Sequence, residues 1–204
     1  MPALDSSWQR ACTGLGWQGD STTLREQLLA RYAEPHRAYH SQQHLAECIA
    51  LLEPALHLAQ HPAEVEMALW FHDAVYEPRR HDNEAHSAAW AQRALLAAGV
   101  DGEAAARVHA LVMATCHSTV PANSDAQLLV DIDLAILGAS PARFAEYERQ
   151  IREEYGFVPG WLFRRKRRAV LRAFAQRTAI YRTAHFRVRC ETQARTNLQL
   201  ALAA

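Results

Sequence analysis

Between Met67 and Tyr76 every residue is apolar or aromatic except one adjacent pair, His72-Asp73. A helix over this stretch carries apolar side chains on all its faces, so it has to lie inside the protein. A carboxylate placed there is costly unless it is paired or binds a metal. The segment is therefore central, and something elsewhere in the chain must meet its acid. A divalent-metal site meets both demands and directs attention to further His and Asp residues.

The 204-residue chain is long enough to bury a sizeable core as one domain, and half of it is hydrophobic. Only 8 Gly and 8 Pro interrupt it, and Ala, Leu, Arg and Glu dominate. These proportions predict a single all-α domain over residues 1–204, without internal repeat or linker. Lys plus Arg equals Asp plus Glu at 22 each, so no overall field favours a nucleic-acid polymer or an anionic membrane. The four cysteines are far apart with no C-x-x-C pair, which disfavours structural zinc and fits free thiols in a reducing compartment. No signal-peptide core is apparent, and no run approaches the roughly 20 apolar residues of a membrane helix. The expectation is a soluble, cytoplasmic protein. Eleven histidines are many, and His is the commonest metal ligand.

Breaks and caps divide the chain. Thr23 and Glu26 form a capping-box pattern for a helix reaching Tyr32. Ser41 is placed to cap a helix containing His44, Leu45, Cys48 and Leu51, which Pro54 kinks or splits. Pro62 opens the central segment, expected to end near Tyr76. Asp82 or Asn83 starts a helix to Ala98, Asp101 another towards His117, and 118–124 reads as a loop. Leu128–Leu137 alternates in part like a strand, but without an evident partner strand it is assigned as a buried helix ended by Gly138. Ser140-Pro141 begins a helix to Tyr155, a basic helix follows through Arg164–Arg168, and a last one runs from about His185.

Two apolar runs hold acids, Asp73 in one and Asp131 with Asp133 in the other. Three buried-looking Asp and one His are more economically explained by a cation than by separate pairings. Two imidazoles with two carboxylates suit Mn, Fe, Ni or Zn better than Ca or Mg. Upstream, His40 and His44 are four residues apart and share one face if helical.

The order His44, His72-Asp73, Asp133, with steps of 28 and 60 residues, resembles the H…HD…D signature of the HD-domain superfamily of metal-dependent phosphohydrolases. Further motifs resemble a bacterial branch described as predicted metal-dependent HD phosphohydrolases. They are Arg37-x-Tyr39-His40-x-x-x-His44, Trp70-Phe71-His72-Asp73-x-x-Tyr76, Asn83-Glu84-x-x-Ser87-Ala88 and Asp131-x-Asp133-Leu134-x-Ile136-Leu137-Gly138, with Ile151-Arg152-x-Glu154-Tyr155 and Ile180-Tyr181 later. The resemblance implies an HD-type helical bundle with a metal-site core over about 37–138 and the helices of 140–204 packed on it. It implies one divalent ion (Mn, Fe, Ni, Co, Zn or Mg) held by His44, His72, Asp73 and Asp133. Residues two apart on a helix diverge by about 200°, so Asp131 is expected to cap, orient a ligand or pair with Arg rather than bind the same ion. Distant relatives, the cyclic-nucleotide phosphodiesterases, share the Tyr-His-x-x-x-His start, which gives His40 the role of general acid. They carry a His where this chain has Tyr76, so a single ion is expected.

Other candidates remain two-sided. Glu84 is either a functional carboxylate near the metal or an acid in a helix's first turn. His117 is an extra ligand, a phosphate contact or a helix-end residue. Arg37, Arg164 and Arg168 either meet substrate phosphate or lie on the surface. The implied activity is hydrolysis of a phosphomonoester or phosphodiester of a small metabolite, with a nucleotide as the family's analogy. Metal-activated water attacks, Asp73 steers it, and His40 protonates the leaving oxygen. A diiron HD-type oxygenase and a non-catalytic nucleotide-binding HD module are the competing readings, and a homo-oligomer is left open.

Overall fold

A computed structural model describes residues 2–117, 121 and 123–203. Among them are ten α-helices, two short 3-10 helices and no strand. The all-α expectation holds. The chain falls into two compact units, Met1–Val130 and Asp131–Ala204, and the division cuts the buried segment that was expected to run unbroken to Gly138. No helix among the described residues is long and apolar enough to cross a membrane.

The first unit contains α1 (Pro2–Gly14), α2 (Thr22–Arg31), α3 (Gln42–Leu52), α4 (Pro62–Phe71), α5 (Asn83–Ala97), α6 (Gly102–Ala114) and most of α7 (Ser124–Asp133). The helix α4 is its centre, packed against α1, α3, α5 and α6. Every residue from Glu64 to Phe71 is buried, as its all-round apolar pattern requires. Two acids inside this helix are each met by arginine. Glu66 accepts both arms of Arg10 from α1, and Glu64 accepts both arms of Arg107 from α6 at 2.7 and 2.8 Å. Trp70 on α4 lies edge-on to Trp8 at 5.0 Å between centroids, and Trp8 meets Trp17 at 6.1 Å. The Trp70 indole donates to Ser7 Oγ at 3.0 Å.

One local expectation changes. Thr23 does not cap α2, because the helix already begins at Thr22, whose amide donates to Asp20 Oδ1 at 2.9 Å. Pro54 does split its helix, and a 3-10 turn over Glu53–Leu58 continues from α3. Asp101 caps α6 through two amides, as expected.

The second unit holds the 3-10 helix Leu134–Gly138, α8 (Pro141–Glu154), α9 (Gly160–Ala175) and α10 (Ala184–Ala203). Instead of one helix to Gly138, the chain tightens at Leu134, whose carbonyl accepts from the Tyr181 hydroxyl at 3.0 Å. Asn197 on α10 donates to the carbonyls of Leu137 and Ala139, both at 2.9 Å. Gly138 is pressed against α10 so closely that a Cβ would stand 2.7 Å from both Cβ and O of Cys190.

Candidate metal centre

The His72-Asp73 pair lies just beyond α4, which ends at Phe71 rather than near Tyr76. The cause is a side chain inserted into the helical ladder. The buried Tyr32 hydroxyl donates to the Trp70 carbonyl at 3.3 Å and accepts from the Asp73 amide at 3.3 Å. The Ala74 amide bonds instead to Phe71 O, at 2.9 Å. Beyond that point Arg37 takes over the loose carbonyls, donating to Asp73 O at 2.6 Å and Ala74 O at 3.2 Å. The same guanidinium donates to His40 O at 3.1 Å and to Glu34 at 3.0 Å, between the rings of Tyr32 and Tyr76. The turn is closed from α5 as well, where Ser87 Oγ accepts from the Val75 amide at 3.0 Å and Asn83 holds both the N–H and C=O of Glu77.

This framework brings three donor atoms into one triangle. His44 Nε2 and His72 Nε2 are 3.1 Å apart, and Asp73 Oδ2 is 3.0 Å from His72 Nε2 and 3.5 Å from His44 Nε2. His72 Nδ1 donates to the Leu69 carbonyl at 2.7 Å, which leaves Nε2 as the lone-pair nitrogen of the neutral ring. Three electron-pair donors at such spacing repel one another unless a cation or protons lie among them. Ligands about 2.1 Å from one ion stand roughly 3.0 Å apart at right angles and roughly 3.4 Å apart in a tetrahedron. The triangle has the dimensions of one face of such a shell. His44 and His72 are almost fully enclosed, and Asp73 has 18 % of its side chain exposed, so the group opens on the carboxylate side. Burial by itself would raise the Asp73 carboxyl. Where the imidazoles carry protons in place of a metal ion, the charges of His72, His40 and His44 and the His72 hydrogen bond outweigh burial and hold it well below the usual range.

Cys48 belongs to the same neighbourhood and escaped the sequence reading. His44, Cys48 and His72 are all buried, with ligand atoms within 4.8 Å of one another, a group that could hold a metal ion. The signal was present, because Cys48 follows His44 by one helical turn and so shares its face. Its sulfur is 3.7 Å from both ring nitrogens of His44. It therefore faces the imidazole ring rather than the lone pair at Nε2, and Asp73 is better aimed at the shared centre.

His40 is half-buried beside the triangle, its ring 6.1 Å from that of His44 and stacked on Tyr76 at 4.0 Å. Tyr76, the residue expected in place of a second-metal His, thus forms a wall for the candidate acid. Arg37, expected at a substrate phosphate, has its guanidinium committed to backbone and Glu34, which makes it a residue that positions the turn. Glu84 lies in the first turn of α5, half-buried, where its charge helps raise the Cys116 thiol behind the larger effect of burial. His117 ends the turn after α6 with a left-handed φ of 52°, which supports its helix-end alternative.

In the second unit, Asp131 is fully buried and accepts from the amides of Arg182 and Thr183 and from Thr183 Oγ1 at 2.7–3.0 Å. It anchors the entry to α10, the capping alternative anticipated for it. Asp133, the fourth ligand implied by the resemblance, closes α7 and is an electrostatic neighbour of Tyr147. Arg168 and Arg164 are exposed on α9. Arg168 donates to Leu202 O at 2.6 Å and so tethers the last turn of α10 rather than standing free for substrate.

Comparison of the chain with family models, with curated proteins and with solved structures gives no match.

Proposed function

We propose that the protein is a metal-dependent phosphohydrolase acting on a phosphoester of a small metabolite, a nucleotide by analogy with the HD superfamily its motifs resemble. The observation that carries this reading is the triangle of His44 Nε2, His72 Nε2 and Asp73 Oδ2, with edges of 3.0, 3.1 and 3.5 Å. A divalent cation held by His44, His72 and Asp73 would supply Lewis acidity, acidifying water near neutral pH and polarising a phosphoryl oxygen. Asp73, the most exposed member of the triangle, orients the attacking water with its second carboxylate oxygen. His40, braced by Tyr76, carries the proton that the departing alkoxide takes up. Arg37 contributes by holding the backbone of residues 40, 73 and 74 in one cluster, which keeps acid and ligands in register. Asp133 enters as the ligand that the resemblance alone supplies.

Purified protein loaded separately with Mn, Ni, Co, Zn and Mg, assayed for metal content and against a nucleotide and phosphoester panel, tests the proposal. One ion per chain with metal-dependent phosphate release is expected. His72→Ala and Asp73→Ala should each lose metal and turnover together, while His40→Ala keeps the metal and loses turnover by about a hundredfold or more. Full metal content in both the His72 and Asp73 variants would refute the ligand set. Loss of metal in Cys48→Ser but not in Asp73→Ala would replace it with a His-Cys-His site. Asp133→Asn, measured for metal affinity, tests the fourth ligand separately. Oxygen-dependent turnover with two irons would establish the diiron oxygenase instead.

A further inference from the structure

The net charge of zero conceals a division along the chain. Residues 131–204 contain 14 Lys and Arg against 7 Asp and Glu, a net +7, whereas residues 1–130 contain 8 against 15, a net −7. Part of the positive excess converges in the second unit on a cleft of 720 Å³ between the end of α9 and the first half of α10. Arg177, Arg182, Arg187 and Arg195 line it, with Glu191 as its one acid.

These groups are not equivalent. Glu191 is already saturated by the amides of Ile180 and Tyr181 and by Arg195. Arg195 in turn donates to the carbonyls of Ala175, Arg177 and Thr178, so it neutralises the end of α9 and completes the wall. Asp131 faces the neighbouring backbone and is taken up by the amides of Arg182 and Thr183. Arg177 and Arg182 are both half-buried, and the charge of Arg182 acts on Asp131, whose oxygens are already taken up by backbone amides and Thr183. Arg177 lies over the ring of Phe174 at 4.5 Å. Burial, and then the charge of Arg182, make its protonated form less favourable than usual. Arg187 adds a third guanidinium at the exposed rim, with only long bonds of 3.3–3.4 Å to Tyr181 and Arg182 carbonyls.

We propose that this cleft binds a small phosphate-bearing anion. Four guanidinium groups against the carboxylates of Glu191 and Asp131 leave an excess of positive charge, which a multiply charged anion offsets. Phosphate oxygens match the paired N–H donors of arginine, and two or three converging forks suit a diphosphate better than a single carboxylate. The cleft is open to solvent, and its volume is ample for a diphosphate. A nucleic-acid strand would instead draw on the exposed face of α9, with Arg164, Arg165, Lys166 and Arg168. The inference does not rest on the metal-site reading, because every guanidinium it uses lies between Arg177 and Arg195 and none belongs to that site.

The test is calorimetric titration of the EDTA-treated full chain with inorganic pyrophosphate, at an ionic strength held constant with sodium chloride. Saturable binding at one site per chain is expected. Arg177→Gln and Arg182→Gln should each weaken it by about tenfold or more, with Arg187→Gln as a rim variant that removes no strong internal bond. The pair Arg165→Gln/Lys166→Gln and the single variant His72→Ala should bind as the parent does. Thermal melts confirm that each variant is folded. The proposal is overturned by absence of saturable binding in the parent, by equal weakening in the Arg165/Lys166 pair, or by loss of binding in His72→Ala. An oligonucleotide that binds through Arg165 and Lys166 and is not displaced by pyrophosphate would identify a nucleic-acid surface in its place.

Discussion

A guanidinium enclosed between two tyrosine rings and bonded to three backbone carbonyls has no cheap substitute. Lysine offers a point charge without the fork, so Arg37→Lys strands at least one of the carbonyls of His40, Asp73 and Ala74. Each stranded buried acceptor costs about 1–3 kcal/mol. Urea unfolding should therefore find the variant about 2–4 kcal/mol less stable, with weakened metal affinity. Asp73 predicts an acid signature. Its folded carboxyl is depressed relative to the unfolded chain, so its stabilising contribution is complete above about pH 4 and is lost as pH falls towards the depressed value. Metal-free Asp73→Asn should then lose less stability than the parent as the pH is lowered below about 4. At this scale the sequence was most informative where burial and polarity conflict: a His-Asp pair in an apolar run needs partners whatever the fold. It was silent on Arg37 as an organiser of backbone, because a surface arginine and a buried one look alike until the tyrosines around it are known.

Helix ends decide which of those side chains meet. The apolar pattern runs on through Tyr76, so periodicity alone extends α4 five residues too far. The terminator is the Tyr32 hydroxyl, 38 residues upstream of the carbonyl it takes, and no local pattern encodes that. Local caps were readable where the side chain meets its own helix, as at Asp101, and misleading at Thr23, where Asp20 reaches the amide first. Asp131 is an intermediate case, a capping residue 51 residues away from the first amide it takes up. Asp131→Ala exposes the amides of Arg182 and Thr183 and should cost about 2 kcal/mol. Hydrogen exchange should accelerate in the first turn of α10 before any change in α9. Gly138→Ala, which forces a methyl group against the backbone of Cys190, should loosen the other end of the same packing.

Over the whole chain, all-helical architecture followed from composition and periodicity, since few Gly and Pro and no paired alternating segments leave little else. The two units were not legible, because the boundary at Val130 falls inside a continuous apolar run and depends on tertiary packing. The charge division was legible but hidden by summation. With a pI near 7.2, a uniformly mixed surface would pass both ion-exchange resins at that pH. This chain should be retained at low salt on cationic and anionic resins alike and released from each by added salt. Flow-through on both would show that the charges of the two units are largely paired off or screened.

The tryptophan stack of α1 and α4 has an optical consequence. Trp70 is two residues from His72, and its carbonyl shares the Tyr32 hydroxyl with the Asp73 amide. An edge-on indole pair 5.0 Å apart is a coupled chromophore whose near-ultraviolet dichroism responds to small rotations of either ring. Occupation of the His-Asp triangle should therefore be visible without a label, as a change in aromatic dichroism that follows added metal and is absent in His72→Ala.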